Sequence, residues 1–96
     1  MNEELRRFAS VYLDREVVYD DMPGTRETLK HFKPEWTEGV RKGLRAVVDE
    51  RRLTAQEWES LTAIEFETDD ALHVYLSDLY DFLFGGNERQ PVLPES

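Results

Sequence analysis

The chain has 96 residues, is 40% hydrophobic and carries a formal net charge of −9, with no cysteine. This length supplies one domain with a modest core, and five Phe, four Tyr and two Trp are too many aromatic residues for a disordered acidic tail. The lack of cysteine excludes disulfides and thiolate metal sites. The negative charge disfavours nucleic acid and anionic membranes as partners.

We expect no targeting or membrane segment in this sequence. The residues after Met1 form neither the basic region nor the apolar region of a signal peptide. Uninterrupted apolar runs of two or three residues are too short to span a membrane. These features predict a cytoplasmic protein.

Apolar residues recur at helical spacing from the start of the chain. The first helix is predicted after Asn2, a candidate N-cap. Its buried stripe has the spacing i, i+3, i+4, i+7, i+8 and comprises Leu5, Phe8, Ala9, Tyr12 and Leu13. Residues 16–19 break this period, and without a convincing second strand to pair with them we expect an extended loop. Residues 20–24, with Pro23 and Gly24, are typical of a turn.

The middle of the chain predicts a short helix followed by a long one. Thr25 is an N-cap candidate for the short helix, which carries Phe32 and ends before Pro34. Pro34 suits the first position of the long helix, because its missing N–H costs nothing there. The stripe of the long helix comprises Trp36, Val40, Leu44, Val47 and Val48. Gly39 and Gly43 are unfavourable in a helix, and they indicate close approach of a neighbouring element.

The clearest local signal is a helix start at Thr54. Thr54 and Glu57 have the spacing of a capping box, and Leu53 and Trp58 occupy the positions of a hydrophobic staple. The pattern predicts a helix that runs to about Ile64.

A last helix is predicted from Thr68 or Asp69 to Gly85 and Gly86, which act as its C-terminal stop. Its buried stripe comprises Leu72, Tyr75, Leu76, Leu79 and Leu83. The sequence thus predicts an all-α fold, a compact single-domain bundle of about five helices over residues 1–86. Residues 87–96, with two prolines, are predicted to be a C-terminal tail.

Little in the sequence points to catalysis. His31 and His73 have no second histidine three or four residues away, and each is expected to be a surface or boundary residue. The chain has no GxSxG motif, no cysteine nucleophile and no glycine-rich phosphate loop, and its paired acids lack the spacing of a calcium loop. We therefore expect neither an enzyme nor a metal or cofactor site.

The acidic residues are concentrated in the second half of the chain. Residues 1–53 carry eleven acids and eleven bases, whereas residues 54–96 carry ten acids and one base, Arg89. Folding accounts for some of these acids, because Glu57 fits the capping box and Asp69 suits a helix N-terminus. The rest could form only a solvated face, but the interleaved aromatic residues favour a surface for a basic partner.

The candidate binding residues lie at the start of the last helix and along its exposed side. They are Glu65, Glu67, Asp69, Asp70, Asp78, Tyr80, Asp81 and Phe84. For Phe84 the alternative is a place in the core, and Phe82 is expected to be a core residue.

The order of these segments resembles that of the small acidic immunity proteins of bacterial contact-dependent growth inhibition systems, and the resemblance covers most of residues 3–85. The residues that carry it are 5–14 (LRRFASVYLD), 17–21 (VVYDD), a short helix with Glu27 that ends at Phe32, the helix start at 53–57 (LTAQE) and the terminal helix at 75–83 (YLSDLYDFL). The resemblance implies a protein that binds a cognate toxin domain, frequently a nuclease, and blocks its active site.

That implied function has a simple physical basis in this sequence. A nuclease presents Lys and Arg to phosphates, so an array of carboxylates can compete for those groups while aromatic residues supply contact area. On this reading the chain binds a protein, does no chemistry and contacts neither nucleic acid nor membrane.

Two other functions stay open from the sequence. An acidic adaptor or anti-activator that binds a basic DNA-binding protein would need the same surface, and the neighbouring gene would separate these two. An enzyme or metal-binding domain would need His31 or His73 to meet carboxylates in a cleft.

Overall fold

The computed structural model describes residues 1–94, which form six α-helices and contain no β-strand. The helices are α1 (Glu3–Tyr12), α2 (Arg15–Val18), α3 (Met22–Leu29), α4 (Pro34–Glu50), α5 (Ala55–Thr62) and α6 (Asp69–Phe84). The predicted all-α single-domain fold is confirmed. No helix within residues 1–94 has the length and apolarity needed to cross a membrane.

The prediction of an extended loop at residues 16–19 is wrong, because residues 15–18 form the single turn α2. The Asp14 side chain accepts a hydrogen bond from the Glu16 N–H at 3.1 Å and caps this turn. Val18 is buried in the core, whereas Val17 is exposed. Side-chain capping and burial of one valine thus outweigh the β-propensity of the pair.

The helix α3 begins and ends earlier than predicted, because it stops at Leu29 and Phe32 lies in the turn that follows. Its N-cap is Asp21, whose carboxylate accepts the Gly24 N–H at 3.0 Å, so the helix starts at Met22 within the predicted turn. Thr25 is therefore an interior residue of α3 and not its cap. It is buried, and its hydroxyl donates to the carbonyl oxygen of Asp21 at 3.2 Å.

The core lies where α4 packs against α1 on one side and α6 on the other, with α5 packed against α1. The apolar stripes predicted for α1, α4 and α6 are mostly buried there. The largest fully buried side chains include Trp58, Tyr75, Phe8, Phe82, Leu5, Leu13, Leu44 and Ile64. The expected core position of Phe82 is confirmed.

The two glycines of α4 mark the crossing with the start of α1. A Cβ at Gly39 would lie 2.6 Å from the Cγ of Glu4, and one at Gly43 would collide with the side-chain amide of Asn2. Asn2 also donates to the carbonyl oxygen of Gly39 at 2.8 Å while it caps α1 through the Leu5 N–H at 2.9 Å. The predicted close approach is confirmed.

The ends of the last two helices follow the sequence prediction. Thr54 and Glu57 form both bonds of the capping box at the start of α5. Thr68 caps α6 by accepting the Ala71 N–H at 3.0 Å. The helix α6 stops at Gly85, and the next residue, Gly86, has a φ of 77°, a left-handed conformation that glycine adopts without steric cost.

Residues 87–94 of the predicted tail contain no helix, and part of this segment lies against the bundle. Pro91 is buried, and Leu93 packs against the core. The Tyr19 hydroxyl donates to the carbonyl oxygen of Pro94 at 2.5 Å, which ties the segment to the end of α2. Residues 95 and 96 of the predicted tail lie outside the described residues.

Tyr75 is buried without a hydrogen-bond partner for its hydroxyl among residues 1–94. Burial raises the pKa of this phenol, because the ionised form would lose its hydration, and Tyr19 raises it further by charge repulsion. An unpaired buried polar group costs about 1–3 kcal/mol of stability.

We expect Tyr75→Phe to be at least as stable as the wild type, with a gain of up to about 1 kcal/mol, because it removes the unpaired hydroxyl but keeps the ring. The raised pKa means that wild-type stability is complete below about pH 10, the pKa of an unfolded tyrosine, and falls as the pH rises above it. Urea unfolding at pH 7 and pH 11 should therefore show a smaller alkaline loss for Tyr75→Phe. Tyr80→Phe is the control, since it removes a hydrogen-bonded hydroxyl; a loss of stability in Tyr75→Phe would contradict the prediction.

Candidate functional site

The candidate acidic residues are all exposed, but they do not form a single cluster. Glu65 and Glu67 lie in the loop before α6, and Asp69 and Asp70 form its first turn. Asp78 and Asp81 lie in its second half. With a rise of 1.5 Å per residue, Asp70 and Asp81 are about 16 Å apart along the helix axis.

The two aspartates at the start of α6 already have partners within the fold. Asp69 accepts a hydrogen bond from the Ala55 N–H at 2.7 Å and so links the starts of α5 and α6. Asp70 lies 3.3 Å from the guanidinium of Arg51, an exposed ion pair. These two carboxylates therefore have structural roles, of which the Asp70 pair is the weaker because both groups are solvated.

The two loop glutamates form no hydrogen bond or ion pair with any described residue. Glu65 and Glu67 line a groove of about 750 Å³ together with Glu59, Tyr19 and Arg15. We call these three glutamates the groove carboxylates. Glu59 is one of the acids counted in this half of the chain, but it is not among the predicted binding residues. Its position inside α5 does not by itself reveal which groove its side chain faces.

The exposed side of α6 carries a row of acidic residues around one apolar residue. Asp70, Val74 and Asp78 are spaced four residues apart, and Asp81 follows three residues later, so all four lie on one side of the helix. The Val74 side chain is 62% exposed. We call these four residues the acidic strip.

Folding does not explain the last two members of the acidic strip. Asp78 and Asp81 are like charges at spacing i, i+3, which costs a helix about 0.2–0.5 kcal/mol. Asp81 also lies in the last turn, where the negative end of the helix dipole disfavours a carboxylate and no basic side chain offsets it. Neither aspartate forms an ion pair or a side-chain hydrogen bond within the described part of the chain. Both are therefore unfavourable to helix stability.

Tyr80 and Phe84 lie on the side of α6 that faces α4, and both are half-buried. The Tyr80 hydroxyl accepts a hydrogen bond from Arg41 at 3.2 Å, and the guanidinium of Arg45 lies 5.4 Å from its ring centroid. The Phe84 ring is 5.5 Å from that of Tyr80. This aromatic pair thus borders the acidic strip, but it is covered in part by two arginines of α4.

Arg41 is itself held by a carboxylate of its own helix. It forms a two-pronged ion pair with Glu38, which lowers the pKa of Glu38. The pKa of Arg41 is raised, mainly by this hydrogen bond to Glu38 and next by the hydrogen bond to Tyr80. The positive charge beside Tyr80 is therefore fixed in place and partly neutralised.

The prediction that His73 lies at the surface or boundary is wrong, because His73 is buried. Its Nε2 lies 2.8 Å from the carbonyl oxygen of Leu53, so this nitrogen carries the hydrogen and donates it. The bond ties α6 to the segment before α5. His31 is exposed, as expected. Residues 1–94 contain no group of three side chains suited to hold a metal ion.

A second groove, which the sequence reasoning missed, lies between α1 and the turn from α3 to α4. Its volume is about 670 Å³, and its apolar wall consists of Val11, Tyr12, Phe32 and Trp36. The Phe32 ring centroid is 5.6 Å from that of Tyr12 and 5.8 Å from that of Trp36. We call it the aromatic groove. Periodicity assigned its residues to separate helices and so gave no sign that they meet.

The chain matches no protein-family model, no curated protein and no solved structure. The acidic strip and the groove carboxylates accept hydrogen bonds and ion pairs, which suits Lys and Arg side chains. The aromatic groove offers apolar contact instead.

Proposed function

We propose that this chain is an immunity protein that binds a cognate basic toxin domain, most simply a nuclease, and neutralises it by covering its active site. The observation that carries the proposal is the pair Asp78 and Asp81 on the acidic strip. Both are exposed, both lack partners within residues 1–94, and both oppose the stability of the helix that bears them. Exposed carboxylates at positions that are unfavourable to the fold are best explained by a partner that uses them.

The acidic strip has the layout of a contact surface for basic side chains. Val74 supplies an apolar centre that loses water when a partner docks, and the flanking aspartates receive Lys or Arg at its edge. The groove carboxylates extend the negative surface beyond the start of α6. Tyr80 and Phe84 form the border of this surface, since Arg41 and Arg45 partly cover them.

Neutralisation follows from competition for the toxin's phosphate-binding groups. The active site of a nuclease holds Lys and Arg that contact the phosphates of its substrate, and fixed carboxylates occupy the same groups while excluding nucleic acid by repulsion. Long-range attraction between the −9 chain and a basic domain also speeds encounter, with association rates up to about 10⁸ M⁻¹s⁻¹ at low salt.

The decisive experiment starts from the neighbouring gene. We expect its product to carry a basic C-terminal toxin domain, and we expect co-expression of this chain to restore growth of cells that express that domain. A pull-down of the purified pair should weaken steeply between 50 mM and 500 mM salt. A neighbouring DNA-binding regulator that the chain captures instead would replace this proposal with the adaptor function.

A further inference from the structure

We propose that the aromatic groove binds an acidic protein segment that carries large apolar side chains. This is a second binding surface, formed by α1 and the α3–α4 turn and separate from the acidic strip on α6. Its failure would therefore leave the proposed toxin binding untouched.

The wall of the groove leaves apolar groups partly exposed, although Tyr12, Phe32 and Trp36 also pack against the core. Val11 lies beside the buried stripe of α1, and its side chain is 54% exposed. Trp36 is half-buried, whereas the other tryptophan, Trp58, is fully buried. Adjacent exposed apolar side chains with aromatic neighbours are typical of a binding surface.

The groove is built on a well-held turn. Pro34 begins α4 and keeps Lys33 in an extended conformation. The Thr37 hydroxyl donates to the carbonyl oxygen of Leu29 at 2.9 Å, which fixes the end of α3 to the start of α4. Because Pro34 and this hydrogen bond set the turn, the Phe32 ring stays against α1. The groove is therefore preformed and loses little conformational entropy on binding.

The charges around the groove favour an acidic occupant. Arg7, Lys33 and His31 line it, and no carboxylate of residues 1–94 does so, in a chain with 21 acids and 12 bases. Glu3 lies 3.7 Å from Arg7, but this pair is exposed and so holds the guanidinium weakly. A partner can place an apolar side chain between Tyr12 and Trp36 and direct its carboxylates to Arg7 and Lys33. It then complements both the apolar wall and the basic edge of the groove.

Trp36 provides a direct readout of binding. In a Trp58→Phe background the remaining tryptophan fluorescence comes from the groove alone. The probe is a terminally blocked peptide of glutamates around one phenylalanine and one leucine. Its counterparts replace the glutamates with lysines or the two apolar residues with alanines. We expect saturable fluorescence change with the acidic apolar peptide and at least tenfold weaker binding of each counterpart.

Val11→Glu is the test variant, because an exposed position tolerates the change while a carboxylate enters the groove. The matched control is Val92→Glu, at a valine that is 74% exposed outside the groove. We expect Val11→Glu to weaken binding at least tenfold and Val92→Glu to leave it unchanged. The double variant Arg7→Glu, Lys33→Glu should invert the preference toward the lysine peptide.

Several results would overturn this assignment. One is equal binding of the glutamate and lysine peptides, and another is no fluorescence change at millimolar acidic peptide. Self-association that Val11→Glu abolishes would assign the groove to a second copy of the chain. Binding to phosphatidylglycerol vesicles that Val11→Glu abolishes would assign it to a membrane surface.

Discussion

Reversing Asp78 and Asp81 to lysine is expected to weaken binding of the basic toxin domain by about 100-fold, with no loss of the folded bundle. Each reversal removes an attraction and adds a repulsion at the proposed interface, and about 2.7 kcal/mol in total corresponds to a 100-fold change. The same variant should be slightly more stable than the wild type. It replaces one like-charge pair with another, but it places a cation in the last turn of α6, where the helix dipole favours positive charge, and lysine is a better helix former than aspartate. Calorimetric titration at low salt and thermal unfolding measure the two effects.

The control for this variant is Glu3→Lys, Glu35→Lys, which changes the net charge by the same amount. Both glutamates are exposed, and they lie at the starts of α1 and α4. We expect this control to slow association modestly and to leave the dissociation rate near that of the wild type. A second test pair, Glu65→Lys with Glu67→Lys, measures the contribution of the groove carboxylates. If both of these double variants bound the toxin domain with wild-type affinity and salt dependence, the toxin would bind elsewhere on the chain.

Replacing Trp58 with alanine is expected to destabilise the fold by about 3–5 kcal/mol, the typical cost of removing a large buried aromatic side chain. Trp58 is fully buried in α5, with its ring centroid 6.3 Å from that of Tyr75 in α6. For a chain of this length the loss corresponds to a fall of about 15–25 °C in Tm, measured by circular dichroism. Trp58→Phe should cost clearly less. A change below about 1 kcal/mol in Trp58→Ala would show that α5 contributes little to the core.

The helices that sequence reasoning located best are those with strong local signals at their ends. Pro34 starts α4, the Thr54–Glu57 capping box starts α5, and Gly85 stops α6, as predicted. These signals act within four residues, so they do not depend on the rest of the fold. The wrong assignments cluster at residues 15–32, from α2 to the turn after α3. There Asp14 and Asp21 are N-caps that no long apolar stripe announced, because α2 and α3 are too short to show a period.

The acidic site was only partly accessible from the sequence. Charge counting located the acids on α6 and in the loop before it, and helical spacing separated Asp78 and Asp81 from the leucine stripe. It placed Asp70 and Tyr80 among the candidates as well, but their partners lie far away in the chain: Arg51 directly follows α4, and Arg41 lies on it. A pattern along one helix does not show what a neighbouring helix presents to it.

The sequence by itself determined the helical class of this protein, the main helix boundaries and the one-sided distribution of its charge. These properties depend on residue spacing, capping and composition, which are local or additive. Only the tertiary structure decided which carboxylates stay free, that His73 is buried against the Leu53 carbonyl, and that Val11 and Trp36 meet in a groove. Those outcomes depend on contacts between residues distant in the chain, since packing α4 between α1 and α6 is what brings them together.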